Sequence, residues 1–414
     1  MIGVEQATVT PGPLSHLKVL DLSRVLAGPW AGQALGDLGA DVIKVEAPQG
    51  GDDTRKWGPP FLDGPDNTRD AAYFTACNRN KRSVTIDFAR PEGAALVRRL
   101  AARCDVVIEN FKVGGLVKYG LDHESLRSGD PRLIYCSITG FGQTGPYAHR
   151  AGYDFLVQGM GGLMSVTGQA DGLPGAAPMK VGVAVSDLFT GMYAVSAILA
   201  ALIHRDRTGE GQHIDCALLD CQVAMLANQG ANWLAGGAVP TRMGNNHPNV
   251  VPYRVYPVVD GHVIVACGND GQFRKLSAAL GSPGLADDPR YATNEARVRN
   301  RAAIDDELTT LLAGLMRDEA IMRLERAGVP CGPINTLPDV FADPHVKARN
   351  LEIVLERSDG TGVNGVAFPA RLSATPATFR AAPPLLGQHT EAVLGEELGL
   401  DSSAFACLRA QGVI

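Results

Sequence analysis

The side chain best suited to covalent chemistry is Asp187, in the stretch KVGVAVSDLFTGMYAVSAILAALI from Lys180 to Ile203, where it is the only acid. Alternating Val181, Val183 and Val185 predict a strand, and the apolar run Met192 to Ile203 predicts a buried helix after it. Ser186 or Asp187 then falls where an N-cap belongs, its short oxygen side chain satisfying free N–H groups of the first turn. A carboxylate between a strand end and a helix start is also a favoured place for chemistry in α/β proteins. The positive end of the helix favours its ionised form.

Other residues offer less. The basic run NRNKRS, Asn78 to Ser83, is either a solvated loop or a phosphate clamp. CGNDGQF, Cys267 to Phe273, places Gly268 and Gly271 directly after a predicted strand, where glycines make a turn or admit a close approach of backbone to a reacting centre. The nine histidines show no HExxH or HxxEH spacing, so no metal site is predicted. GxGxxG, GxxxxGK[ST] and GxSxG are all missing, which leaves nicotinamide, ATP and serine-hydrolase chemistry without a motif.

The elements that must hold these groups alternate. LKVLDL, ADVIKVEAP, RSVTIDF, DVVIENF, RLIYCSITGFG and QHIDCALLD read as strands separated by helical patterns, the arrangement of a parallel sheet. After about residue 240 the texture changes to a hairpin turning at Asp260-Gly261, then helices: a smaller α+β domain. A second hairpin is expected around SDGTG, and helices close the chain. The expected boundaries are 1–220 with 340–414 for a large domain, 221–245 for a linker helix, 246–333 for the small domain and 334–339 for the return.

The 414 residues suffice for two or three domains, and 45% hydrophobic with 20% charged content is that of a globular protein. A net charge of −6 argues against nucleic acid or an anionic membrane as partner. The eight cysteines form no CxxC pair and read as free thiols in a reducing compartment, so a cytoplasmic location is expected. The first residues lack a signal peptide's apolar core and read as a loose tail, and Met192 to Ile203 is too short to span a bilayer.

Taken together, LDLSRVLAGPWAGQALGDLGADVIKVE, NRNKRSVTIDF, DVVIENF, GYDFLVQGMGGLMSVTG, VSDLFTGM, HRDRTGEGQHIDCALLD, GVPCGPIN and LLGQHTEAVL resemble the class III CoA-transferases of the CaiB/BaiF type, from about residue 14 onward. The resemblance implies an α/β fold: a Rossmann-like large domain plus a small α+β domain, in a ring-shaped chain that interlocks with a second copy as a homodimer. It implies no cofactor beyond coenzyme A, carried as co-substrate. Acyl-CoA and carboxylate small molecules are the implied partners. The second half is similar to the succinyl-CoA:glutarate branch and its dicarboxylate relatives.

Residue by residue, the resemblance puts the family's catalytic aspartate on Asp187. It puts CoA contacts on Arg24, Leu26, Ala27, Lys81, Asn110, Phe111 and Lys118, and the mobile glycine loop near Gly268 and Gly271. Tyr153 and Asp154, in AGYDF, match substrate-side positions; Arg82, Arg242 and His247 are candidates for the distal carboxylate of a dicarboxylic acid. Backbone N–H groups at the Asp187 helix end and in the glycine loop are the donors expected to take up developing negative charge. Formyl-CoA:oxalate-type members carry Gln where this chain has Leu26 and Glu where it has Asp154, which argues against that substrate pair. The same fold hosts α-methylacyl-CoA racemases, whose second base is a histidine where this chain has Tyr153, a weak base at neutral pH. A CoA-binding protein without catalysis would be expected to have lost the aspartate.

Overall fold

The computed structural model describes residues 11–64 and 69–414. The tail expected at the start therefore lies mostly outside the described residues. The chain forms two compact units, one from residues 1–163, 181–231 and 345–414, the other from 164–180 and 232–344. The segment 164–180, expected in the large domain, belongs to the second unit.

The first unit is built on six parallel strands: β1 (Lys18–Asp21), β2 (Asp41–Glu46), β3 (Lys81–Thr85), β4 (Val106–Glu109), β5 (Ile134–Thr139) and β6 (His213–Ala217). Their order is β3-β2-β1-β4-β5-β6. This is the doubly wound order that creates a crevice at the carboxyl ends of β1 and β4, where the winding reverses. All residues of β4 and β5 are buried, as a parallel sheet covered on both faces requires.

Alternate side chains feed two cores. Val19, Val106, Ile108 and Ile134 join one face with helices α1 (Ala27–Asp37) and, later in the chain, Val185–Thr208. Leu20, Val107 and Tyr135 join the other with α2 (Pro91–Ala101) and the tail helices Thr390–Leu398 and Ser402–Ala410. Between β4 and β5 lies α3 (His123–Gly129), capped by Asp122 as its sequence predicts. Between β5 and β6 come α4 (Asp154–Met160) and α5 (Val185–Thr208), and α6 (Leu218–Ala224) follows β6. Helices α1 and α5 touch closely: a Cβ on Gly191 would sit 2.8 Å from the Ala27 carbonyl oxygen.

The alternating valines before Asp187 do not form a strand. Residues 180–184 are irregular and α5 begins at Val185. Period-two alternation makes a strand only where a neighbour offers free ladder groups. The stretch joins neither open edge of the sheet, β3 or β6; its Val181 amide is tied to the Gln158 side chain instead.

The second unit has its own core around Tyr256, Val265, Phe273, Ile304 and Leu308. Its antiparallel sheet joins β7 (Tyr253–Val258), β8 (Gly261–Ala266) and β9 (Cys331–Gly332). The hairpin closes through Val259 and Asp260, with Gly261 at φ +146°. The second expected hairpin, Glu352–Glu356 with Gly362–Val366, belongs to the first unit.

Candidate active site

Six stretches of the first unit converge on one cleft at the carboxyl ends of β1, β4 and β5. It is lined by Arg24, Leu26 and Ala27 after β1, Asn110 and Phe111 after β4, Tyr153 before α4, and Asp187 in α5. All seven were read from the sequence. The cleft encloses a cavity of about 170 Å³. The sequence reading missed Arg150, Lys112, Thr139 and Gly140, which line it too. Arg150 forms no ion pair among the described residues; its guanidinium lies over the rings of Phe141 and Tyr147. Nothing in AHRAGY marks that arginine locally, since only tertiary folding leaves it without an acid.

Asp187 occupies the first turn of α5, 9% exposed. Its carboxylate accepts no hydrogen bond from the described residues. Burial, with the nearby charge of Asp154 adding to it, pushes its pKa up to about 7. The expected cap is absent: the cap residue is Ala184, and neither Ser186 nor Asp187 caps through its side chain. Asp154 caps the helix from outside instead. Its Oδ1 accepts from the backbone N–H of Ser186 at 2.8 Å and more loosely from that of Asp187 at 3.4 Å. Gln158 fixes the other oxygen at 2.7 Å and accepts from the Val181 amide. Ser186 Oγ donates to Gln222 at 2.6 Å. Because the Val185 amide bonds to the Val183 carbonyl, the first three amides of α5 are all engaged. The expectation that they receive developing negative charge is therefore corrected.

The strand-end loops are latched to each other across the crevice. The Arg24 amide donates to Asn110 Oδ1 at 2.9 Å and Asn110 Nδ2 donates to the Arg24 carbonyl at 2.6 Å. The Arg24 guanidinium lies 5.1 Å from the Phe111 ring centroid. Val25 sits at φ +73°, a costly conformation for a β-branched residue. Its amide is held by Asp52 at 3.3 Å.

Other predicted residues lie elsewhere. Lys81 is fully buried, and its ammonium donates to Asp21, the Pro29 carbonyl and Asn78 at 2.8–2.9 Å. All three of its hydrogens are in use, so the phosphate-contact reading is corrected: Lys81 ties β3 to β1 and α1. Arg82 points to Asp41 and Glu396, a double ion pair that leaves it no role at the cleft. Lys118 is exposed beside Tyr119, outside the cleft lining. Gly268, Gly271, Arg242 and His247 lie in the second unit. The Gly268 amide is taken by Gln272, and Gly271 stands inside the helix Asp270–Ala279 rather than in a loop. Arg242 pairs with Asp171, and His247 Nδ1 accepts from the Asn249 amide.

A profile of CoA-transferase family III matches residues 14–390. Succinate–glutarate CoA-transferase of Agrobacterium fabrum is 57% identical over 385 residues, spanning 93% of this chain and 95% of its own. Succinyl-CoA:glutarate CoA-transferase of Homo sapiens is 43% identical over 97% of this chain and 90% of its own. The crystal structure of a CaiB/BaiF family protein from Brucella suis superposes with a TM-score of 0.82 at 57% identity, covering 94% of this chain and all of that one. A cleft at the switch point of a doubly wound sheet, an unpaired carboxylate facing it and a match along nearly the whole length thus have one reading: this chain is an enzyme of CoA-transferase family III.

Proposed function

We propose that the enzyme moves CoA from succinyl-CoA to a dicarboxylic acid, glutarate being the first to test, through a covalent intermediate on Asp187. The observation that carries this is the Asp187 carboxylate itself, buried, accepting no hydrogen bond from the described residues and lining the cleft. A carboxylate so placed is desolvated and unblocked for attack. Asp187 attacks the thioester carbonyl; the C–S bond breaks and CoA thiolate leaves a mixed anhydride. The thiolate attacks the Asp187 acyl carbon, succinate departs, and an aspartyl-CoA thioester remains. The acceptor carboxylate runs the two steps in reverse and returns free Asp187, with no net proton change. Arg150, and Arg24 with its exposed partner Asp53 at 3.3 Å, bring guanidinium groups to the cleft for phosphate, developing oxyanion or distal carboxylate.

The relatives named for succinyl-CoA and glutarate, 57% and 43% identical, support the substrate class. The racemase alternative has no second base, because Tyr153 stands at the required position, and the formyl-CoA:oxalate alternative has Leu26 and Asp154 against it.

The quaternary reading is a ring-shaped chain interlocked with a second copy. Its support is the apolar face that α4 and α5 leave open, with Phe155, Leu156, Phe189, Met192 and Tyr193 exposed. Only 44% of the most apolar window of α5 is buried within one chain. The cytoplasmic reading rests on eight free cysteines, five of them in the parallel-sheet unit's interior (Cys77, Cys104, Cys136, Cys216 and Cys221).

The decisive experiment incubates the protein with succinyl-CoA alone, traps with hydroxylamine or borohydride, and maps the modified peptide by mass spectrometry. The expected tag is on Asp187 and is missing from Asp187→Ala. No adduct together with α-proton exchange into heavy water would replace transfer by racemisation. Sedimentation at twice the chain mass is expected for the dimer.

A further inference from the structure

A second cavity adjoins the cleft, sharing Phe111, Lys112 and Val113 with it, and Glu109 forms part of its floor. Glu109 is the last residue of β4 and is 5% exposed. Unlike Asp21, Glu46 and Asp52 it has no cation beside it; no ion pair to it is formed by the described residues, although Lys112 and His123 line the same cavity with Asp122 and Glu124. Its carboxylate is used in two other ways. Oε2 accepts from the Phe111 amide at 2.8 Å, and Ser137 stands opposite Glu109 in the strand register on β5, where its hydroxyl favours the ionised carboxylate. Ser137 Oγ lies 3.0 Å from His213 Nε2, and His213 stacks flat on His123 with centroids 3.8 Å apart. Burial, with His123 beside it, lowers His213 to about 4, so it is neutral near pH 7 and carries one ring proton. With that proton on Nε2, His213 donates to Ser137, which leaves the Ser137 hydroxyl proton to face its register partner Glu109, and Glu109 receives the Phe111 amide: a polar row from β6 to the cleft rim.

Three consecutive residues therefore do three jobs at the switch point. Glu109 anchors the turn to the sheet, Asn110 latches it to the Arg24 backbone, and Phe111 places its ring against the Arg24 guanidinium. Resting on the CoA-transferase reading, we propose that Glu109 is a positioning residue for acyl-CoA: through Phe111 and Asn110 it sets where Arg24 stands in the cleft, with Ser137 and His213 holding Glu109 in turn. It touches no reacting atom. The effect falls on acyl-CoA binding and not on the covalent steps at Asp187.

The test is steady-state kinetics with succinyl-CoA as varied substrate for Glu109→Leu, Glu109→Gln and the wild type. Glu109→Leu, which keeps bulk and loses the acceptor, is expected to raise KM by about tenfold while kcat stays within about threefold. Glu109→Gln keeps an acceptor oxygen for the Phe111 amide and is expected to restore KM to within about threefold of the wild type. An unchanged KM in Glu109→Leu, a loss confined to kcat, or Gln failing as badly as Leu would overturn the assignment. Should Glu109→Leu not fold, Ser137→Ala is expected to raise KM about threefold, and no change there would overturn it equally. A wild type that transfers no CoA at all sinks the transferase reading instead, whereas an active wild type with an indifferent Glu109→Leu sinks only this inference.

Discussion

Two groups of buried carboxylates sit at the same end of the sheet and are treated in opposite ways. On the β1–β2–β3 side every acid is met by a cation: Asp21 by Lys81, Asp52 by Lys44, Glu46 by Arg55, and Asp70 by Arg55 and Arg357. Burial alone would raise Asp21, Glu46 and Asp52, but their cations and hydrogen bonds more than offset it, and Asp52 falls to about 2 beside Lys44. On the cleft side Asp187 and Glu109 have no cation, and burial lifts each to about 7. The paired set fixes backbone: Asp52 holds strained Val25, and Lys44 donates to the Ser23 carbonyl. In the unpaired set Asp187 is left without a hydrogen bond from the described residues, while Glu109 accepts one from the Phe111 amide. The same residue type is scaffold or reagent according to whether the fold brings it a partner.

The sharpest way to break this comparison is Asp187→Asn. It is expected to lose at least about a thousandfold in kcat, because the amide cannot form the anhydride. The sign for stability is opposite. An acid raised from near ~4 to about 7 on folding costs stability progressively as pH climbs between those values. The variant should therefore melt no lower than the wild type at pH 5 and higher at pH 8. A variant that keeps transfer activity would end Asp187's role as nucleophile.

Next in size is Lys44→Met. It leaves Asp52 buried without its cation and is expected to cost about 3–5 kcal/mol in urea unfolding. The contribution of Asp52 is present above its unfolded value and disappears as pH falls toward about 2, so the difference between Lys44→Met and wild type should shrink in acid. Equal stability losses for Lys44→Met and Asp187→Asn at pH 8 would erase the distinction between the two groups.

The pH profile sharpens it further. With Asp187 as the proposed nucleophile, transfer requires its ionised form, so kcat is expected to fall about tenfold per unit as pH drops below about 7. Asp154→Asn removes the neighbouring negative charge and should move that limb to lower pH by up to about one unit. A limb fixed in the ordinary carboxylate range would show that the cleft does not perturb Asp187. The smallest effect is expected for Tyr153→Phe, within about threefold in transfer rate. A large loss there would reopen a proton-transfer role at the racemase position.

What could be read in advance follows the range of the forces involved. The parallel sheet has a local pattern and appears where that pattern puts it, whereas the loops Arg24–Ala27 and Asn110–Phe111, which line the cleft, were reached only through the family resemblance. Lys81 and Arg82 misled because a basic run looks alike in a solvated loop and a buried strand. Their partners Asp21 and Asp41 stand 60 and 41 residues away. Asp154 caps α5 from 32 residues upstream, so the helix start carried no local signal of what satisfies it. The valines before Asp187 alternate like a strand, but strand pairing is decided by tertiary neighbours, and this stretch is held by Gln158 rather than by a sheet edge.

The first unit is assembled from segments at both extremes of the chain. Arg55 donates to the Pro384 carbonyl, Asn80 bonds the 378–381 stretch, and the helix Thr390–Leu398 covers β3. During synthesis the cleft-forming loops are made first and the segments that close the sheet edge last. A nascent chain stalled before residue 380 holds Asn80 and Arg55 short of their carbonyl partners and leaves the β3 face bare. Ribosome-bound fragments of increasing length should stay sensitive to protease until the final helices emerge, then become resistant in one step.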